Sequence, residues 1–183
     1  MFEKIERFGA KPKSLPLEVR SELIVRLEKG MGSGVLPDEY RNFLEYFGAS
    51  VMFNSKLVFK GIEASPWAND NLYDDLESLY GLNEFGGEYS VFEAIETYNV
   101  DLKNQWIPIG SSSGGNQICL CVYGEMFGQV WFWDHESDPH FDLDNVISGM
   151  SFSAKNFTDF IDRLEVDKED PDITGVVKVD LDF

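Results

Sequence analysis

The residues best suited to chemistry stand together in one short segment, residues 134–142, DHESDPHFD. It contains both histidines of the chain, His135 and His140, together with four carboxylates. Imidazole and carboxylate groups serve as metal ligands and as acid–base centres. The histidines, however, are separated by Pro139 and lack the i, i+4 helical spacing that places two ligands on one face. We therefore expect no metal site, and instead a polar loop after a buried strand, with carboxylates accepting hydrogen bonds from backbone N–H groups.

A second candidate is the segment 110–116, GSSSGGN. Backbone N–H groups of such a segment can bind an anion. It lacks the Gly-Lys-Ser/Thr of a phosphate loop, and it leads into a predicted strand where that motif requires a helix. Its serines also lack the strand–turn–helix setting of a serine nucleophile. The segment is better explained as a turn between two strands.

The cysteines and tryptophans are better explained as core residues than as a site. Cys119 and Cys121 are two apart in a predicted strand, so both point to one face, where a disulfide between them is disfavoured. Four tryptophans could form a ligand-stacking platform, but core packing is the default for such residues: Trp67, Trp106, Trp131 and Trp133, of which the last two share a strand face. No nucleophile, base and orienting group come together. The sequence therefore predicts a protein without catalytic activity, metal or cofactor.

The charge distribution favours a binding role. The net charge is −18, and residues 61–154 contain sixteen acidic side chains and a single base, Lys103. Such a field repels phosphate backbones and attracts cationic surfaces, so we expect a protein partner with a basic cleft and no nucleic acid. The alternative is that the acidity only maintains solubility. On the assumption that they are exposed, the candidate partner-binding residues are Asp74, Asp75, Glu77, Glu84, Glu88, Asp134, Glu136 and Asp138.

Length and hydropathy predict one cytoplasmic domain. The 183 residues, 43% of them apolar, suit a single core. No run of about 18 apolar residues exists to span a membrane, and the N-terminal residues lack the apolar stretch of a signal peptide. We expect a lead-in at residues 1–14, a domain at 15–166 and an acidic tail at 167–183 with a possible edge strand at 176–181. The sequence leaves the oligomeric state open.

Hydrophobic periodicity predicts the elements that would position these residues. Helices are predicted at residues 15–29, 36–47, 71–80, 91–98 and 156–164. Strands are predicted at residues 51–53, 56–59, 106–109, 117–123, 128–133 and 141–148. The first two strands form a short hairpin around Asn54-Ser55, and 117–123 with 128–133 form a central hairpin. Ser90 and Glu93 have the spacing of a capping box. Helices first, then strands, then a closing helix predict an α+β fold.

Four segments, in order, resemble the SUKH superfamily of Smi/Knr type. They are LPDEYRNFL followed by Gly48, WIPIG through GGN, GQVWFWDHE, and the closing helix within 153–164. Asn116 departs from the family, which more often has aspartate there. The residues that match as structural motif positions are Leu36, Pro37, Tyr40, Phe43, Leu44, Gly48, Pro108, Gly110, Gly114, Gly115, Gly128 and Trp133.

This resemblance implies a twisted, mostly antiparallel central sheet with helices packed around it, and no enzymatic activity. Bacterial members are mostly immunity proteins that bind and block a toxin domain, often a nuclease. Fungal members are interaction hubs that regulate cell-wall synthesis, so a regulatory or scaffolding module is the alternative. A metal-dependent enzyme using His135 and His140 is a third hypothesis.

Overall fold

The computed structural model describes residues 1–11, 15–31, 34–83, 89–141 and 146–168. Within these ranges the chain forms one α+β domain with helices around a curled antiparallel sheet, which confirms the predicted fold class. The helices are α1 (Phe2–Arg7), α2 (Leu17–Gly30), α3 (Asp38–Phe47), α4 (Val91–Leu102) and α5 (Phe157–Arg163). The strands are β1 (Val51–Phe59), β2 (Asp74–Leu79), β3 (Trp106–Ser111), β4 (Gln117–Cys121), β5 (Val130–Trp133), β6 (His140–Phe141), β7 (Val146–Ser148), β8 (Met150–Ala154) and β9 (Leu164–Val166).

The main sheet has seven strands in the order β8-β5-β4-β3-β2-β1-β9, and β6 pairs with β7 separately. The predicted central hairpin is confirmed as β4 and β5, which pair from Gln117 opposite Trp133 to Leu120 opposite Val130. After β1 the chain crosses to the far edge, where the N–H groups of Ile62 and Glu63 donate to carbonyls of β8. The outer edge of β8 is thereby covered, which limits pairing with another chain.

The two faces of the sheet bury different side chains. Ile118 and Leu120 of β4 belong to the larger core, whereas Cys119 and Cys121 belong to a second cluster with Trp133. This alternation confirms that the cysteines share one face, and both are free and buried. Burial raises the pKa of the Cys121 thiol to about 11, and that of Cys119 still further above its ordinary value. Both thiols are therefore protonated at neutral pH.

The motif residues of α3 form the centre of the larger core. Tyr40, Phe43 and Leu44 are buried on one face of the helix, as its spacing predicts. The ring of Phe157, from α5, lies 5.2 Å from the rings of both Tyr40 and Phe43. Helix α3 ends at Phe47, as predicted, and is followed by Gly48 with a φ of 70°, in the left-handed region that favours glycine. No helix in the described ranges has both the length and the apolarity needed to cross a membrane.

Two predictions between residues 51 and 80 are wrong. The hairpin around Asn54-Ser55 does not form, because 51–59 is one strand whose register with β2 shifts between Met52 and Leu57. The predicted helix at 71–80 is strand β2. Its alternate residues Asp74, Leu76 and Ser78 are buried. Because two of these three residues are polar, the hydropathy pattern does not show the period of two that indicates a strand.

Smaller differences concern short elements. The hydroxyl of Ser90 donates to the Asn83 carbonyl, 2.9 Å away, and does not cap α4. The strand predicted at 141–148 is two short strands, β6 and β7. Helix α1 and strand β8 were not predicted, and the tail strand predicted at 176–181 lies outside the described residues.

Candidate functional site

One strand and one loop place five of the eight predicted contact residues at one end of the sheet. Strand β2 contributes two of them, and the loop after β5 contributes three. The loop 112–116, which connects β3 to β4, lies between them, because it hydrogen-bonds to Asp75 of β2 and to His135 of the loop after β5. We call these five carboxylates the acidic rim: Asp75, Glu77, Asp134, Glu136 and Asp138.

Asp75 fixes the loop 112–116 to strand β2. Its Oδ1 accepts a hydrogen bond from the Ser112 hydroxyl at 2.7 Å, and the Ser113 hydroxyl also donates to its carboxylate. The Ser113 N–H lies 3.2 Å from the same carboxylate, and the Ser113 hydroxyl reaches Glu77 at 3.4 Å. The serines of the segment therefore serve as donors that anchor a turn, which confirms the predicted connection between two strands.

The other end of this loop is joined to the loop after β5 through Asn116. Gly114 and Gly115 adopt φ values of 77° and 88°, the left-handed region that favours glycine. A Cβ atom on Gly115 would lie 3.1 Å from the His135 ring. The Asn116 Oδ1 accepts from the His135 N–H at 3.3 Å, and its Nδ2 donates to the Ser113 carbonyl at 3.0 Å. An aspartate could not make that second bond, so this departure from the family pattern has a local structural role.

The loop after β5 is a hydrogen-bonded turn, as the sequence predicts. Asp134 Oδ1 accepts from the Glu136 N–H at 3.1 Å, and Oδ2 accepts from the Ser137 hydroxyl at 3.0 Å. The indole N–H of Trp133 donates to the Ser137 carbonyl at 3.0 Å. Glu136 and Asp138 remain exposed. This turn therefore holds two free carboxylates on a short, well-anchored backbone.

The two histidines of the chain differ in position. The His135 Nδ1 lies 3.2 Å from the Asn116 Oδ1, whereas His140 begins β6 and is exposed. In the part of the chain that the structure describes, no group of three or more His, Cys, Asp or Glu side chains is placed to hold a metal ion.

Asp74 contradicts the assumption that all eight predicted residues are exposed. Its relative exposure is 4%, and its carboxylate accepts a hydrogen bond from the Ser65 hydroxyl. Burial raises the pKa of Asp74, and the hydrogen bond from Ser65 opposes that shift. A side chain in this position supports the sheet and cannot contact a partner directly. Glu84 and Glu88 lie outside the described residues.

The acidic rim carries uncompensated charge. Among the described residues, no lysine or arginine forms an ion pair with any of its five carboxylates, and the ion pairs that do form lie elsewhere, as between Arg41 and Glu28 at 2.6 Å. The sole basic residue in the whole 61–154 segment is Lys103. This end of the sheet therefore presents a negative field to any approaching molecule.

An exposed indole lies beside the rim, where the sequence had favoured core packing for all four tryptophans. Trp67, which is 48% exposed, packs its ring against Gly114, where a Cβ atom would lie 3.3 Å away. Its N–H donates to the Ser65 hydroxyl at 3.0 Å, which fixes its backbone. Residue 67 lies in the connection between β1 and β2, and the folded path of that connection places it next to residue 114. Carboxylates beside an aromatic face can bind a cationic side chain by ion pairing and by a cation–π contact.

Comparison with known proteins confirms the family that the sequence resembles. The model of the SMI1 / KNR4 family (SUKH-1) matches residues 18–163. The SPbeta prophage-derived uncharacterized protein YokK of Bacillus subtilis (strain 168) is 30% identical over 189 residues, covering 98% of this chain and 93% of the relative. The chain therefore belongs to the SMI1 / KNR4 family (SUKH-1).

Proposed function

We propose that this protein is an immunity protein of the cytoplasm, which neutralises a cognate bacterial toxin by binding it directly through the acidic rim. Its family is generally one of non-catalytic immunity and regulatory domains. The observation that carries the proposal is the rim itself, because its five carboxylates have no cationic partner among the described residues. A nuclease is the toxin class that fits this charge best.

The physical argument starts from the substrate of a nuclease. Such an enzyme needs a basic cleft to hold phosphates, so an acidic inhibitor is steered toward that cleft and occupies it in place of the nucleic acid. The rim is also preorganised. Asp75 accepts hydrogen bonds from the loop 112–116, and Asp134 accepts hydrogen bonds within its own loop, so less conformational entropy is lost on binding than for free side chains.

Co-expression with the product of the neighbouring upstream gene tests the proposal. We expect that product to stop growth when expressed alone, growth to recover when this protein is co-expressed, and the two chains to copurify. For purification, the toxin is inactivated in its catalytic residues so that both chains accumulate. If the upstream product is harmless, or if no complex forms, the immunity proposal fails and a regulatory module becomes the better hypothesis.

A further inference from the structure

A pocket separate from the acidic rim opens between α2, α4 and the start of β3. Its volume is about 200 Å³. Leu27 of α2, Ile95 of α4 and Trp106 of β3 form part of its wall, together with Phe92 and Pro108. None of the rim carboxylates lines it. The pocket is therefore a feature separate from the rim.

The interior of the pocket suits an apolar group of limited size. Leu27, Trp106 and Pro108 are buried, whereas Phe92 and Ile95 are half-buried. A dry apolar cavity of about 150 Å³ can accommodate benzene. A pocket of about 200 Å³ thus holds one ring with a short substituent, whereas pockets for drug-sized ligands start at about 300 Å³.

The mouth of the pocket is polar and positively charged. Arg26 is the only charged side chain among its described lining residues, and its guanidinium carbon lies 5.1 Å from the centroid of the Phe92 ring. The side chains of Asn99 and Asn104 also line the pocket and are exposed. Within the described residues, neither these amides nor the guanidinium hydrogen-bond to another protein group. Small-molecule sites usually combine an apolar interior with a small number of polar groups.

We infer that this pocket binds a small monocarboxylate with an apolar body about the size of one ring. The planar guanidinium of Arg26 can hold the carboxylate through two parallel hydrogen bonds, which a neutral or cationic analogue cannot form. The two asparagine amides supply further donors at the mouth. The apolar body lies against Ile95 and Trp106. The chain has a net charge of −18, whereas the charged side chain at this pocket, Arg26, is cationic. An anion is therefore attracted to the pocket and repelled by the rim.

The inference is tested by titrating the full chain with 3-phenylpropionate and monitoring the titration by two-dimensional ¹⁵N–¹H NMR. The indole N–H signal of Trp106, assigned with the variant Trp106→Phe, reports on the pocket. We expect saturable shifts at this signal and along α4, with a Kd of about 1 mM or tighter. The neutral analogue 3-phenylpropanamide should bind at least about tenfold more weakly, and 3-phenylpropylamine more weakly still.

Two substitutions on one helix separate a specific carboxylate contact from general charge. Arg26→Gln should weaken 3-phenylpropionate binding about tenfold and remove its advantage over the amide. Lys29→Gln changes the net charge equally on an exposed residue that does not line the pocket, and should have little effect. Ile95→Trp, which fills the interior, should abolish binding, and the NMR spectrum of each variant verifies that it is folded.

Any of three results overturns the inference. These are the absence of saturable shifts at Trp106, equal binding of the acid and the amide, and equal effects of Arg26→Gln and Lys29→Gln. A rim variant such as Glu136→Gln should leave 3-phenylpropionate binding unchanged. Failure of the pocket experiment is therefore distinguishable from failure of the proposed immunity function.

Discussion

Three carboxylates of the acidic rim can be neutralised with little disturbance of the loops beside them. Glu77, Glu136 and Asp138 are exposed. Within the described part of the chain, their carboxylates accept one hydrogen bond, the long contact from the Ser113 hydroxyl to Glu77 at 3.4 Å. Asp75 is left intact because it anchors the loop 112–116. The triple variant Glu77→Gln, Glu136→Gln and Asp138→Asn should therefore fold normally and bind the toxin more weakly.

The expected magnitude follows from the exposure of these groups. An exposed ion pair contributes about 0.2–1 kcal/mol, so three pairs contribute about 0.6–3 kcal/mol. That range corresponds to a Kd roughly threefold to 150-fold weaker. Most of the loss should lie in the association rate, because exposed charges act mainly on encounter. It should shrink with added salt, as the Debye length falls from about 10 Å at 0.1 M to about 3 Å at 1 M.

Stopped-flow association with the inactivated toxin, at 0.05 M and 0.5 M sodium chloride, measures both effects. The matched control neutralises three exposed acids on α1 and α2, namely Glu3→Gln, Glu18→Gln and Glu22→Gln. It removes the same total charge at a distance from the rim. If both triple variants slow association equally, net charge is responsible and the rim is not the contact surface. If neither does, the electrostatic argument is refuted.

Three further predictions concern the fold that supports the rim. Because burial raises the pKa of Asp74, the folded protein binds its proton more tightly than the unfolded chain does, and stability falls as pH rises through that raised pKa. In urea unfolding, the free energy of unfolding of Asp74→Asn relative to that of the wild type should therefore increase from pH 3.5 to pH 7. A difference between the two proteins that does not change with pH would contradict this reasoning. Phe157→Ala should lower the free energy of unfolding by about 3–5 kcal/mol, because the ring is fully buried among aromatic neighbours; a loss below about 1 kcal/mol would be inconsistent with this core. Cys119 and Cys121 should resist a thiol reagent in the folded state and react on unfolding in urea, because both are buried and protonated; rapid modification of the native protein would contradict their placement.

The helices that the sequence predicts correctly have a clear apolar stripe. In α2, Leu23, Ile24 and Leu27 are all buried, and α3 has four such residues in ten. Helix α1 was missed because its six residues bury only Ile5. Its position depends on tertiary contacts, such as the stacking of Phe2 on a tyrosine of α3 at 4.5 Å, which no local pattern reveals.

Strand β2 shows why a short apolar pattern can mislead. Leu72, Leu76 and Leu79 have helical spacing, and Leu72 is in fact exposed before the strand begins. The buried polar residues Asp74 and Ser78 form hydrogen bonds with Ser65, which precedes the strand, and with Ser111 of β3. Hydropathy cannot identify an inward-facing carboxyl whose partner comes from another segment.

The candidate site was predictable in its chemistry and only partly in its membership. The absence of basic residues between 61 and 154, apart from Lys103, indicates an acidic surface from composition alone. The pairing of Asp75 with the loop 112–116, the burial of Asp74 and the position of Trp67 beside Gly114 all depend on strand register and on the path from β1 to β2. These long-range relations become visible only in the folded chain.

Hydrogen–deuterium exchange on the complex with the toxin shows whether the acidic rim is the contact surface. We expect complex formation to slow exchange at residues 75–77, 112–116 and 134–138, with little change in α1 and α2. Slowed exchange confined to α1, α2 or the mouth of the α2–α4 pocket, with no change at the rim, would contradict it.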